Sequence, residues 1–147
     1  MDYYYIAADD LTALTAKDLE SGPKPGSSFV SAEAKDVMAC PHLEQLLAAS
    51  TGEAGPSLVV ELKTLWPEPP PAGSEFSIEP GTMITRLPDS LRDNIAAIEV
   101  TQSVAEVWAA ELWGFEAAQA ATVAKEIVRV ARVARDTGQP LYWWSEM

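Results

Sequence analysis

The stretch Leu141-Tyr142-Trp143-Trp144-Ser145, close to the end of the chain, decides the fold. Its apolar residues are consecutive rather than alternate, so as a strand it carries bulky side chains on both faces. Such a strand belongs at the centre of a sheet, or covered by helices on one side and a loop on the other. Just before it, Gly138 and Pro140 stop a helical pattern that runs from about Glu116 to Asp136. That pattern turns Val123, Ile127, Val130, Ala131 and Ala134 to one side.

Further upstream the spacing predicts two more amphipathic helices. Leu91, Ile95 and Ile98 recur at helical intervals, with Ser90 and Asp93 as a capping pair. Ser103 and Glu106 form a capping-box pattern ahead of a face made by Val104, Val107, Trp108, Leu112 and Phe115.

At the other end of the chain, Tyr3 to Ala8 reads as a strand running into a helix capped at Asp9 or Asp10, with Leu11, Leu14 and Leu19 inward. Ser21 to Ser27 is a loop, rich in glycine and proline. Ser31 caps a short predicted helix through Ala39. Pro41 interrupts that helix or opens another through Leu43, Leu46 and Leu47. Ser57 to Lys63 alternates as a half-buried strand, and the run Pro67-Glu68-Pro69-Pro70-Pro71 after Trp66 leaves the sheet because proline cannot donate to a ladder. Phe76 to Ile78 and Met83 to Thr85 suggest a hairpin about Pro80-Gly81. Strands early and late with three helices between them predict a single α+β domain over 1–147. Its one mixed or mainly antiparallel sheet is packed by helices mainly on one face, with the C-terminal strand central or well covered.

Composition narrows the function. The chain has 147 residues, 48% of them hydrophobic, which suits one domain with a real core. It carries 22 acidic and 10 basic side chains, a formal net charge of -12. That field repels nucleic acids and anionic membranes and favours basic proteins or cations, or serves only solubility. Cys40 is the one cysteine, so no intrachain disulfide forms, and neither an export signal nor a membrane-spanning run stands out. The expectation is a cytoplasmic protein.

No phosphate loop, dinucleotide fingerprint, nucleophile elbow or two-histidine zinc motif is present, so no catalytic residue, metal site or cofactor is assigned. Cys40 and His42 lie about 200° apart on a helix start and lack further ligands, so they read as structural. Glu111 falls within the apolar stripe of Trp108 and Phe115. A carboxylate there must be paired or protonated, which would suit a general acid or base; otherwise the helix frays near Gly114, or Glu111 pairs with Arg86 or Arg92. Trp113 lies on the opposite side of that wheel, as an interface anchor or beneath a loop such as the proline run. Trp66 is a second candidate anchor. Lys125, Arg129 and Arg132 make a basic stripe on the outer face of the last helix, able to grip a phosphate or carboxylate or simply to be solvated. Pro67-Glu68-Pro69-Pro70 has the spacing of a proline-groove ligand but reads as a rigid loop.

Leu65-Trp66-Pro67-Glu68, Arg86-Leu87-Pro88-Asp89 with Leu91-Arg92-Asp93, Val104-Ala105 with Trp108-Ala109, and the Leu141-Tyr142-Trp143-Trp144-Ser145 ending together resemble an uncharacterised family of small acidic bacterial proteins. The resemblance implies an independently folded unit and brings no activity with it.

Three functional expectations follow. The first is a non-enzymatic protein-binding domain, of immunity or inhibitor type, whose acidic surface meets a basic protein partner. The second is a small enzyme or ligand-binding domain built on a buried Glu111. The third is a homo-oligomer joined through its tryptophans.

Overall fold

The computed structural model describes residues 1–52, 62–68 and 81–146. Five strands, β1 (Asp2–Ile6), β2 (Ser31–Glu33), β3 (Lys63–Trp66), β4 (Thr82–Arg86) and β5 (Leu141–Glu146), form one sheet in the order β2-β1-β5-β4-β3. Every neighbouring pair is antiparallel. The C-terminal strand β5 is central, flanked by β1 on one side and β4 on the other. This is the α+β architecture that the tail's two-sided apolarity predicts.

The period of two along β1 and β5 sorts their side chains into two layers. Tyr4, Ile6, Leu141 and Trp143 face the helices: α2 (Glu44–Thr51), α3 (Asp89–Ala96), α4 (Gln102–Ala109) and α5 (Ala117–Thr137). Tyr3, Tyr5, Tyr142, Trp144 and Ile84 face the other way, under α1 (Asp10–Leu14), the 3-10 turn Thr15–Asp18 and the loop bearing Phe29. Aromatic rings knit this second layer: Tyr3 meets Trp144 at 5.5 Å between centroids, and Tyr5 meets Phe29 edge-on at 5.1 Å. Buried polar atoms of the sheet find partners across elements. Trp143 Nε1 donates to Asp2 Oδ1 at 2.9 Å, and Tyr4 donates its hydroxyl to the Val37 carbonyl at 2.7 Å.

Gly22 shows how closely the loop seats on that aromatic layer. Its φ is +71°, and a Cβ built there would stand 2.9 Å from the Trp144 ring. Gly22→Ala combines left-handed strain with a clash against a buried ring. It is expected to cost about 1–3 kcal/mol, read as a lower urea midpoint at unchanged slope.

Several local expectations give way to tertiary structure. Ser31 does not cap a helix: Ser31–Glu33 is the edge strand β2, paired with Tyr3 to Tyr5. In α1 the inward residues are Ala13 and then Ala16 of the following turn, while Leu11 is 79% exposed. The cap of α4 is Thr101, whose Oγ1 accepts from Val104 N at 3.2 Å, two residues before the expected Ser103. α3 starts after Pro88 without a side-chain cap. Met83 to Thr85 does lie in a strand, but β4 pairs with β3 and β5. Phe76 to Ile78, most of Ser57 to Lys63 and the prolines from Pro69 on lie outside the described residues. Among the described residues, no helix is long and apolar enough to cross a membrane.

Candidate interaction surface

The turn from α4 to α5 exposes the residue that a core explains least. α4 ends at Ala109; Ala110 N still reaches the Glu106 carbonyl at 3.4 Å, and the two amides after it bond three residues back, Glu111 N to the Trp108 carbonyl at 2.9 Å and Leu112 N to the Ala109 carbonyl at 3.1 Å. This tightening to 3-10 geometry advances each residue by about 120° instead of about 100°. Leu112 is buried, and Trp113 stands on the opposite side, 101% exposed, as the helical wheel places both. Gly114, with φ +79°, redirects the chain, and Glu116 with Gln119 closes a capping box that starts α5. Trp108 fixes the turn from below, donating Nε1 to the His42 carbonyl at 2.9 Å from a fully buried position. Trp113 is thus held out by a turn anchored on both sides.

Glu111 is not buried as expected: the core side of α4 is Val104, Ala105 and Trp108, and Glu111 follows Val107, four residues before it, on the exposed side. Glu111 is exposed and, among the described residues, accepts only a long hydrogen bond from Gln45 Nε2, 3.4 Å. Arg86 and Arg92 do not pair with it. Arg92 bonds Asp93 and the Gln139 carbonyl, both at 2.9 Å. Val107, expected to face inward, is 52% exposed.

Along the chain, the charged residues nearest Trp113 are Glu106, Glu111 and Glu116. From 93 to 124 the chain carries Asp93, Glu99, Glu106, Glu111 and Glu116 and no lysine or arginine. Trp66, by contrast, is no free anchor: it is half-buried at the end of β3, packs against the aromatic layer and has Lys17 Nζ 4.4 Å above its ring.

The basic stripe is exposed but mostly engaged. Arg132 donates to the Ala96 and Ile98 carbonyls at 2.8 and 2.9 Å, satisfying the C-terminal end of α3. Arg129 bonds Glu126 at 2.8 Å and the Ser31 carbonyl at 3.1 Å. Lys125 forms no hydrogen bond or ion pair among the described residues.

A polar cluster that no local pattern announces lies across the sheet. Asp10 Oδ1 accepts from the Tyr142 hydroxyl at 2.8 Å and from Arg86 at 3.0 Å, while Oδ2 accepts from Lys63 at 3.1 Å. Tyr142 and Asp10 stand 132 positions apart in sequence. Burial works against the Asp10 charge, yet the hydrogen bonds from Tyr142, Lys63 and Arg86 win and hold its carboxyl below the ordinary value. Burial first, then the bond to Asp10, pushes the Tyr142 phenol well up. A carboxylate saturated by three donors is a clamp between α1 and three strands rather than a proton carrier. Because the folded carboxyl titrates below the unfolded one, the clamp stabilises the fold above the unfolded value and is lost as pH falls through the folded value. The stability difference between wild type and Asp10→Asn should stay flat from neutrality to about pH 5 and shrink in more acid solution. Urea titrations at stepped pH would measure it.

Cys40 and His42 do not assemble a reactive pair. His42 Nδ1 accepts from Met38 N at 2.9 Å, and the Cys40 thiol faces Glu44 Oε1 at 3.9 Å. Burial, then the Glu44 charge, raises the Cys40 pKa, opposite to what a nucleophilic thiolate requires. Among the described residues, no group of three or more His, Cys, Asp or Glu side chains could hold a metal ion. No family model, curated protein or solved structure matches the chain.

Proposed function

We propose that the protein is a non-enzymatic binding domain that captures a basic protein partner, in the manner of an inhibitor or immunity protein, through Trp113 and the neighbouring Glu106, Glu111 and Glu116. The observation that carries the reading is the complete exposure of Trp113 on a turn whose neighbours are fixed. A solvated indole costs the isolated protein apolar exposure and becomes favourable once a partner's pocket covers it. The fixed backbone beneath it spares the ordering cost that a mobile loop would bring to the interface. The surrounding carboxylates steer a cationic partner toward it and repel anionic ones.

The alternative of an enzyme or ligand site built on Glu111 loses its premise, since that carboxylate is exposed and adjoins Gln45 rather than a cationic group. Self-association through Trp113 would bring Glu106, Glu111 and Glu116 of two copies together, and their repulsion disfavours it. The test is affinity capture from lysate at low salt. Wild-type bait is expected to retain a protein that high salt releases and that Trp113→Ala bait fails to retain. Equal retention by both baits, or no salt-sensitive partner, overturns the reading, and light scattering on the free protein should give a monomer.

A further inference from the structure

A groove of about 400 Å³ opens where α5 passes the connection between α3 and α4, on a surface separate from Trp113. Its apolar part comes from Ile98 and Val128, both buried, with the half-buried Val100 and Val133 beside them. Along one side run Lys125, Arg129 and Arg132, three of the chain's 10 basic residues. We propose that this groove binds a small amphipathic anion, an apolar chain ending in a carboxylate or phosphate head.

Two features beyond the volume select that ligand class. First, the guanidiniums are held in place by the protein. Arg132 is fixed on the Ala96 and Ile98 carbonyls through Nε and one terminal nitrogen, and Arg129 on Glu126 and the Ser31 carbonyl in the same way. Each keeps its other terminal nitrogen free of these bonds, a donor already positioned for an anionic oxygen. Second, Lys125 has no partner among the described residues, so its charge is available without breaking a contact.

The acids lining the groove are Glu99 and Asp136, and Arg135 Nε bonds Asp136 at 3.1 Å. With these ion-pair partners included, Arg135 and the Glu126 that bonds Arg129, the groove has four bases against three acids in a chain of net charge -12. A head group would sit between Lys125 and the arginines while its chain covers the valines and Ile98. An uncharged chain would leave the free donors unmet, and a cation would meet them head-on. The chemistry fits both oxyanion heads, and paired probes separate them.

The experiment is calorimetric titration of the whole protein with octanoate, hexyl phosphate, octanol and octylamine, with amide chemical shifts followed by NMR. At least one of the two anions is expected to bind with a dissociation constant on the order of 0.1–1 mM, the tighter of them naming the head group. Shifts should concentrate at 98–100 and 125–136, and octanol and octylamine should bind at least about tenfold more weakly. Lys125→Glu breaks no hydrogen bond or ion pair among the described residues, so it should keep the melting temperature and weaken the anion about tenfold. The proposal is overturned if neither anion binds at about 5 mM, if octanol binds as well as the anions, or if Lys125→Glu leaves the affinity unchanged.

Discussion

Trp143→Ala should leave the protein barely folded or unfolded at room temperature. Deleting a buried tryptophan ring from the central strand costs about 3–5 kcal/mol in lost contacts and residual cavity. The substitution also strands Asp2, which is 4% exposed and accepts the indole N–H at 2.9 Å. A buried acceptor left without its donor adds about 1–3 kcal/mol. Against the roughly 5–15 kcal/mol that holds a domain of this kind folded, the sum removes most or all of the margin. Trp143→Phe isolates the second contribution, since the ring is largely replaced while the donor is lost. Trp144 provides the control. It is equally enclosed, yet its Nε1 has no hydrogen-bond partner among the described residues. Trp144→Phe therefore removes a buried unsatisfied donor and should cost less than Trp143→Phe in the same urea titration. A larger loss at Trp144 would mean that the polar contact to Asp2 adds little.

The largest expected effect on binding belongs to Trp113. Once a partner has been isolated, Trp113→Ala should weaken it by about 2–4 kcal/mol, roughly 30-fold to 1000-fold, the range of central aromatic anchors. The free protein's stability should hardly change, because the side chain is fully exposed. The loss should fall mainly on the dissociation rate. Glu111→Gln and Glu116→Gln should instead slow association and flatten its dependence on salt, since those carboxylates act at a distance. Surface plasmon resonance over a salt series separates the two patterns.

How far the sequence discloses this arrangement depends on whether the determining contacts are local. The tail is legible because its apolarity on both faces has one structural solution. α5 is legible because its period, its glycine stop and its length agree. The outward position of Trp113 also follows from the wheel. β2 is not legible: three residues, Ser31 to Glu33, become a strand only by pairing with Tyr3 to Tyr5, so nothing local specifies them. Glu111 is misplaced because apolar positions on a wheel do not say which of them meet the core: the buried side is Val104, Ala105 and Trp108, and Glu111 falls with Val107 outside it. The Asp10 clamp brings together α1, β3, β4 and β5 and has no signature within any short window. Arg132 shows the same limit. Its spacing puts it on an outer face, but its bonds to the end of α3 depend on how two helices pack.

Hydrogen exchange on the chain, free and bound to a protein retained by the wild-type bait, tests the proposed recognition surface most directly. New protection is expected across 106–117, the end of α4 and the turn that carries Trp113, with β5 already slow in both states. Protection confined to other segments, with 106–117 exchanging as in the free protein, would contradict the account.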